Sequence, residues 1–97
     1  MKFLVFARYR IGVTIPQSAD LFRQTKDWLE ARLADGTMDC LYNLPAGGGV
    51  GIINADSHEA LTEILGAYPL QPLVGYEVHP LSDFKQVFDL AIKAFGG

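Results

Sequence analysis

The sequence contains one cysteine, two histidines and no strong excess of charge of either sign. A single cysteine, Cys40, excludes an internal disulfide framework and a cysteine-rich zinc site, which favours a reducing compartment. Eight basic against eleven acidic side chains give a formal net charge of −3, without the basic excess that nucleic-acid binding usually needs. Two histidines without clustered ligand spacing argue against a protein-bound metal.

Long hydrophobic runs are also missing, since none approaches the roughly 20 residues that span a bilayer. The apolar run Phe3–Ala7 reaches Arg8 and Arg10 too early for a signal peptide. What is present is a chain of 97 residues, 49% of them hydrophobic, which is enough for one core. We therefore expect a single cytoplasmic domain over residues 1–97, with no nucleic-acid or membrane partner.

The spacing of apolar residues and helix breakers predicts four strands and three helices. The strands are expected at Lys2–Arg10, Met38–Leu44, Val50–Ala55 and Leu73–Leu81, the last ended by Pro80. The helices are expected between Ser18 and Gly36, between Asp56 or Ser57 and Gly66, and between Ser82 or Asp83 and about Phe95. The glycine-rich segment 45–49 predicts a hairpin turn and not a nucleotide loop, because it joins two strands and no Gly-Lys-Ser/Thr follows.

The order β-α-β-β-α-β is the ferredoxin-like α+β arrangement, here over residues 1–81 with an additional C-terminal helix over 82–97. Its two internal helices cover only one face of a four-stranded antiparallel sheet. Both faces of the first strand are apolar, with Leu4 and Phe6 on one side and Phe3 and Val5 on the other. We therefore expect a partner subunit to cover the open face, in a homodimer or a higher oligomer.

The C-terminal helix has one broad apolar face, formed by Phe84, Val87, Phe88, Ala91, Ile92 and Phe95. This face can pack on its own sheet, close a pocket as a lid, or dock on a neighbouring subunit. Its polar face carries Lys85, Asp89 and Lys93 without a basic excess, which argues against a membrane anchor. We favour the lid or the docking helix.

The segment Asp56–Leu81 resembles the muconolactone isomerase family. The resemblance rests on a capped helix with Leu61 and with Ile64-Leu65 at the place of the family's leucine pair, on the link Pro69-Leu70-Gln71-Pro72 and on the strand Glu77-Val78-His79-Pro80-Leu81. It extends more weakly over residues 1–81. The resemblance implies a dimeric α+β barrel in which two sheets face each other, often assembled into rings. It also implies isomerisation of an unsaturated lactone by proton transfer, without a cofactor.

Helix one matches the family pattern only in part. Lys26 matches a pocket lysine and Trp28 keeps an aromatic position, whereas Thr25 stands where the family has Glu. Apolar residues, including Phe6, replace polar side chains of strand one, and Cys40 replaces a His. The resemblance therefore implies the fold more directly than the substrate.

Glu77 and His79 are the foremost catalytic candidates, because residues two apart on a strand point to the same face. A carboxylate beside an imidazole can abstract and return a proton, which a 1,3-proton shift requires. The alternative is a solvent-facing pair, or an ion pair between Glu77 and Arg8 that only stabilises the sheet. Tyr42 can donate a hydrogen bond to an enolate oxygen, or it simply packs on its strand.

Arg8 or Arg10 can hold a substrate carboxylate, or they are solvated strand ends. Trp28 lies on the apolar stripe of helix one and either floors a pocket or belongs to the core. Lys26 is a substrate-binding candidate only through the resemblance. We expect the pocket between sheet and helices, with an apolar wall of Trp28 and, from strand one, Leu4 and Phe6.

Two classes of function follow from these residues. The first is a cofactor-independent isomerase that acts on an unsaturated lactone or a related cyclic carbonyl compound. The second is a non-catalytic barrel that binds a small ligand or serves as an assembly subunit. A polyketide-type cyclase or a cofactor-free oxygenase on the same fold is a third alternative.

Overall fold

The computed structural model describes residues 1–97, and it confirms the ferredoxin-like α+β fold with a C-terminal helix. The strands are β1 (Lys2–Tyr9), β2 (Met38–Asn43), β3 (Gly49–Asn54) and β4 (Val74–Leu81). The helices are α1 (Ala19–Ala34), α2 (His58–Ala67) and α3 (Phe84–Ala94), with a short 3₁₀ turn at Gln71–Leu73 before β4. All strand pairs are antiparallel, in the order β2-β3-β1-β4.

Polar side chains begin all three helices at predicted capping residues. The Ser18 hydroxyl accepts a hydrogen bond from the Leu21 amide at 3.2 Å. Ser57, and not Asp56, caps α2, and Asp83, and not Ser82, caps α3. These side-chain acceptors satisfy amides that have no partner within the helix.

Two predicted boundaries are wrong. Gly66 does not end α2, which continues to Ala67 and stops at Tyr68, where the following proline disfavours helical backbone. Pro80 does not end the last strand, since it lies within β4 opposite Phe3. β4 is an edge strand, and an edge strand tolerates a residue that has no amide hydrogen to donate.

The core lies between the two internal helices and one face of the sheet. Its buried members are Phe3, Val5, Met38, Ile53, Ala55 and Leu61, with Leu29, Ile64 and Leu65 packed against them from the helices. Because β1 alternates, Leu4, Phe6 and Arg8 point to the opposite face, which no element of the chain covers. We call this second surface the open face.

The C-terminal part of the chain projects from this body. Every residue from Glu77 to Gly97 is exposed, including the large apolar side chains of α3. The radius of gyration is 16.6 Å, whereas a compact chain of this length has about 12.5 Å. None of the helices combines the length and the hydropathy that a membrane crossing needs.

The β2–β3 hairpin depends on glycine at one position. Gly48 has a φ of +86°, and a Cβ there would collide with the carbonyl oxygen of Ala7 on β1. The Gly48 carbonyl also accepts from the Leu44 amide at 2.9 Å, which closes the turn. The predicted turn is thus confirmed, and its glycine serves both backbone conformation and close approach.

We expect Gly48→Ala to lower the free energy of unfolding by roughly 3 kcal/mol, because positive φ and steric overlap both oppose a Cβ. Urea denaturation followed by circular dichroism measures this change. Gly66→Ala is the matched control, since open space surrounds its Cβ position within a helix. The control is expected to be neutral or to stabilise by up to about 1 kcal/mol. Equal losses of unfolding free energy in both variants would contradict a specific need for glycine at position 48.

Candidate active site

A cavity of about 390 Å³ lies between α1 and the helix-covered face of the sheet. The sheet contributes small and apolar residues to its floor, among them Val5, Ala7, Gly51 and Val74. The α1 helix contributes Phe22, Thr25, Trp28, Leu29 and Leu33 to the opposite wall. This volume is within the range of small-molecule sites, and the wall is mainly apolar.

Three tyrosines, Tyr9, Tyr68 and Tyr76, line the same cavity. The Tyr76 hydroxyl donates to the Leu65 carbonyl at 2.9 Å. Burial raises the pKa of Tyr76, and nearby Tyr68 raises it further. Burial also raises the pKa of Tyr68, with a smaller contribution from Tyr9. Tyr68 and Tyr76 therefore stay protonated at neutral pH, as uncharged hydrogen-bond donors.

The charged residues of the lining, Lys26 and Glu30, are at the mouth of the cavity. They are one helical turn apart on α1, with Lys26 Nζ 3.7 Å from Glu30 Oε1. Their side chains are 74% and 62% exposed, so both reach solvent as well as the cavity. Deeper in the wall, the buried Thr25 hydroxyl donates to the Leu21 carbonyl at 2.8 Å, which uses its only hydrogen.

The structure places the predicted site residues on two faces of the sheet. Lys26 and Trp28 line the cavity, as expected. Leu4 and Phe6 do not line the cavity, so the prediction that they form part of its apolar wall is wrong. Strand alternation directs them to the open face. The remaining candidates, Arg8, Tyr42, Glu77 and His79, are also absent from the cavity lining.

On the open face, Glu77, His79 and Arg8 form one cluster around Phe6. His79 Nε2 is 2.8 Å from Glu77 Oε2, and Arg8 Nη1 is 3.6 Å from Glu77 Oε1. The Arg8 guanidinium lies 4.5 Å from the Phe6 ring centroid, and the His79 ring meets the same ring edge-on at 6.2 Å. The structure thus shows both the predicted Glu–His pair and the predicted ion pair with Arg8.

The electrostatics of this cluster favour an ionised carboxylate. The hydrogen bond with His79 holds the pKa of Glu77 below its usual value, against some desolvation and with a further contribution from Arg8. Tyr42 is not part of the cluster, since β3 and β1 separate its strand from β4. At about 4.8 Å per strand, that separation is roughly 14 Å.

Comparisons with known proteins agree with this architecture. No protein-family model matches the sequence, and no curated protein matches it either. A dehydrochlorinase of 5-chloro-2-hydroxyhydroquinone from Burkholderia phenoliruptrix, solved with 2,5-dihydroxybenzoquinone, superposes with a TM-score of 0.71 at 16% identity. That match covers 89% of this chain and 98% of the dehydrochlorinase. Muconolactone isomerase superposes with a TM-score of 0.69 at 22% identity, over 86% of this chain and 90% of the isomerase.

The chain has the fold of muconolactone isomerase. The structural match agrees with the sequence resemblance carried by Asp56–Leu81. At these identities the likeness concerns the muconolactone isomerase fold alone.

Other candidate residues have structural contacts within this fold. Arg10 Nε donates to the Val74 carbonyl at 3.0 Å, which ties the end of β1 to β4. Cys40 is a half-buried free thiol, and His58 packs its ring against buried Phe3 with centroids 5.6 Å apart. Nowhere do three His, Cys, Asp or Glu side chains come together in a geometry that could hold a metal ion.

Sequence reasoning missed Glu30 and the three tyrosines of the cavity. Glu30 follows Lys26 by four residues, a spacing that puts both on one face of a helix, so an available signal was overlooked. Tyr68 and Tyr76 belong to different elements, and only the folded chain brings them together. Tyr68 also packs against Trp28, with ring centroids 5.8 Å apart.

The lowered pKa of Glu77 predicts a pH-dependent contribution to stability. A carboxylate whose folded pKa is depressed stabilises the fold above its unfolded value, here 4.5, and loses that effect as the pH falls through the folded value. The urea midpoint of the wild type should therefore exceed that of Glu77→Gln at pH 7, and the two should converge in acid. Glu63→Gln, at an exposed position outside the cluster, is the control. A difference in urea midpoint between the wild type and Glu77→Gln that did not change with pH would contradict a stabilising contribution from ionised Glu77.

Proposed function

We propose that this chain is a cofactor-independent isomerase that shifts a proton within an unsaturated lactone or related cyclic carbonyl compound. The cavity beneath α1 supports this function, because it combines an apolar wall, uncharged phenolic donors and a carboxylate at its mouth. A cyclic dicarbonyl compound bound to the dehydrochlorinase, and a lactone isomerase among the similar folds, favour the same substrate class.

A proton shift needs a base near the acidic C–H group and a donor at the carbonyl oxygen. Glu30 is the base that the cavity offers, since it is the acidic residue among those that line it. It removes the proton as the C–H electron pair moves towards the carbonyl oxygen, where the Tyr68 hydroxyl stabilises the enolate. The same carboxyl group then returns the proton to the far end of the conjugated system, so that no redox partner is required.

Lys26 has a positioning role in this scheme. Its ammonium group lies 3.7 Å from the Glu30 carboxylate, one helical turn away, and this ion pair orients the base. Trp28 and Tyr68 present aromatic surface to a flat ring, with centroids 5.8 Å apart. The chain thus supplies a base, a donor and a flat apolar wall.

Catalytic roles for Glu77, His79 and Tyr42, and substrate binding by Arg8, stay predictions that require a ligand on the open face. The sheet separates these residues from the cavity, so they cannot contact a molecule bound beneath α1. A second copy that covered the open face would enclose the Glu77–His79 pair. Turnover by the Glu77→Gln variant tests a catalytic role on the open face. It should fall sharply only if the reaction takes place there.

Proton NMR with muconolactone in deuterated water tests the proposed function. Migration of the double bond, or deuterium incorporation at the acidic carbon above the buffer rate, is the expected result. The same spectra recorded with an uncharged butenolide show whether the carboxylate of muconolactone hinders binding. Absence of exchange in every cyclic carbonyl compound tried would contradict an isomerase.

A non-catalytic ligand-binding or assembly subunit is the second candidate function. The specific observation in its favour is that the acid–base pair Glu77–His79 faces away from the cavity. Ligand binding without proton exchange would support this candidate.

We also propose that a second copy of the chain covers the open face. Leu4, Phe6, Val50 and Ile52 are only partly buried there, on adjacent strands. Arg8 and Glu77 supply charges of both signs on the same surface, which suits a two-fold interface in which this surface meets itself.

A further inference from the structure

The volume of the cavity exceeds what one six-membered ring fills. An apolar cavity of about 150 Å³ in another protein accommodates one benzene molecule. The cavity beneath α1 has about 390 Å³, which is more than twice that space. A single ring would leave much of the wall without contact atoms, and those lost dispersion contacts weaken binding. The size therefore favours two or three fused rings.

The charge of the lining argues against a ligand with a carboxylate. Lys26 is the cation of the wall, and it is paired with Glu30 at the exposed mouth. Neither nearby arginine lines the cavity: Arg10 Nε donates to the Val74 carbonyl, and Arg8 belongs to the cluster on the open face. A carboxylate placed deep in the cavity would be desolvated without a countercharge, which is strongly unfavourable.

The hydrogen-bonding groups of the wall suit an uncharged oxygen substituent. The hydroxyls of Tyr76 and Thr25 donate to backbone carbonyls, and no such bond engages the Tyr68 hydroxyl. Its raised pKa keeps Tyr68 in the donor form at neutral pH. The Tyr68 hydroxyl is thus available to a carbonyl or hydroxyl oxygen of a ligand that lies against the Trp28 ring.

We propose that the cavity binds an uncharged compound of two or three fused rings that carries a carbonyl or hydroxyl group. Single-ring carboxylic acids, muconolactone among them, are expected to bind this cavity more weakly than such a compound. This assignment rests on the proposed function only in its choice of cavity, since it concerns binding and not turnover.

Trp28 provides a local reporter for the test. It is the only tryptophan of the chain and it lines the cavity, so its indole N–H gives one resonance in a proton–nitrogen correlation spectrum. Titrations of the wild type with phenol, 2-naphthol and 9-phenanthrol vary the number of rings. A titration with 2-naphthoate keeps two rings and adds a negative charge.

We expect 2-naphthol to bind at least about tenfold more tightly than phenol, because the second ring buries additional apolar surface. The affinity for 2-naphthoate should be at least about tenfold lower than that for 2-naphthol, because its charge has no partner. Equal affinities for 2-naphthol and 2-naphthoate, or for phenol and 2-naphthol, would overturn the proposal. So would the absence of any shift of the Trp28 resonance.

Ala7→Leu narrows the floor of the cavity and should weaken 9-phenanthrol binding far more than phenol binding. Ala31→Leu makes the same substitution on the exposed side of α1 and should change neither the affinity for 9-phenanthrol nor that for phenol. Tight naphthol binding without proton exchange in any cyclic carbonyl compound would refute the isomerase and leave the ligand class standing. The wild-type titrations decide the ligand class even if Ala7→Leu does not fold.

Discussion

Glu30→Gln is expected to slow the proton shift at least about a hundredfold, the lower end of what a positioned general base contributes. Glutamine keeps the shape of the side chain and removes its basicity, so kcat should fall while ligand binding persists. The rate of deuterium incorporation into a cyclic carbonyl substrate measures the first effect, and the shift of the Trp28 indole resonance measures the second.

Two other variants make this result specific. Asp27→Asn removes a carboxylate from the same helix at a position outside the cavity lining, and it should leave the rate unchanged. Glu77→Gln removes the carboxylate of the open face. A large loss of activity in Glu77→Gln with none in Glu30→Gln would reverse the assignment and move the reaction to the open face.

The fold was predictable because local signals agree with one another. Serines and an aspartate occupy the capping positions, and the glycine-rich segment 45–49 provides the turn that the hairpin needs. The open sheet face also followed from topology, since two helices on one side leave the other side uncovered. Strand ends differ from the expected ones by one residue, and the breaking effect expected of Gly66 and Pro80 is overridden by context.

The candidate site was less predictable, because it depends on which face each strand residue occupies. The register of β2 shifts between Met38 and Cys40, and this irregularity directs Met38 and Leu41 to the cavity. Strict alternation would have grouped Met38 with Tyr42, which instead shares the row of Val50 and Phe6. No single-residue signal in the sequence marks such a shift.

The pairing of Glu77 with His79 shows a different limit of prediction from the sequence. Their spacing correctly predicted a shared face, and the hydrogen bond between them confirms it. Which face the pair shares depends on the packing of the helices against Val5 and Phe3, which is a property of the whole chain. A local pattern thus located the pair, and tertiary structure separated it from the cavity.

Removal of residues 82–97 is expected to reduce the number of subunits in the assembly in solution. Only Ser82 and Asp83 separate β4 from α3, so the link is short, and the body of the chain leaves α3 uncovered. Its exposed apolar side chains are Phe84, Val87, Phe88, Leu90, Ile92 and Phe95. Together they present roughly 700 Å², close to the 800 Å² or so that each partner contributes to a stable interface. We propose a second copy of this chain as the partner.

Size-exclusion chromatography with light scattering measures the mass of the full chain and of the truncated chain. Phe88→Glu should reproduce the truncation, because it places a charge in the centre of the apolar face. Asp89→Asn on the polar face is the matched control and should keep the full mass. An unchanged number of subunits in the truncated chain would mean that α3 does not join copies of the chain. A full-length chain that is monomeric at micromolar concentration would refute both this interface and the one at the open face. If the loss of α3 leaves a dimer, the open face is the interface that remains, because its residues precede the truncation.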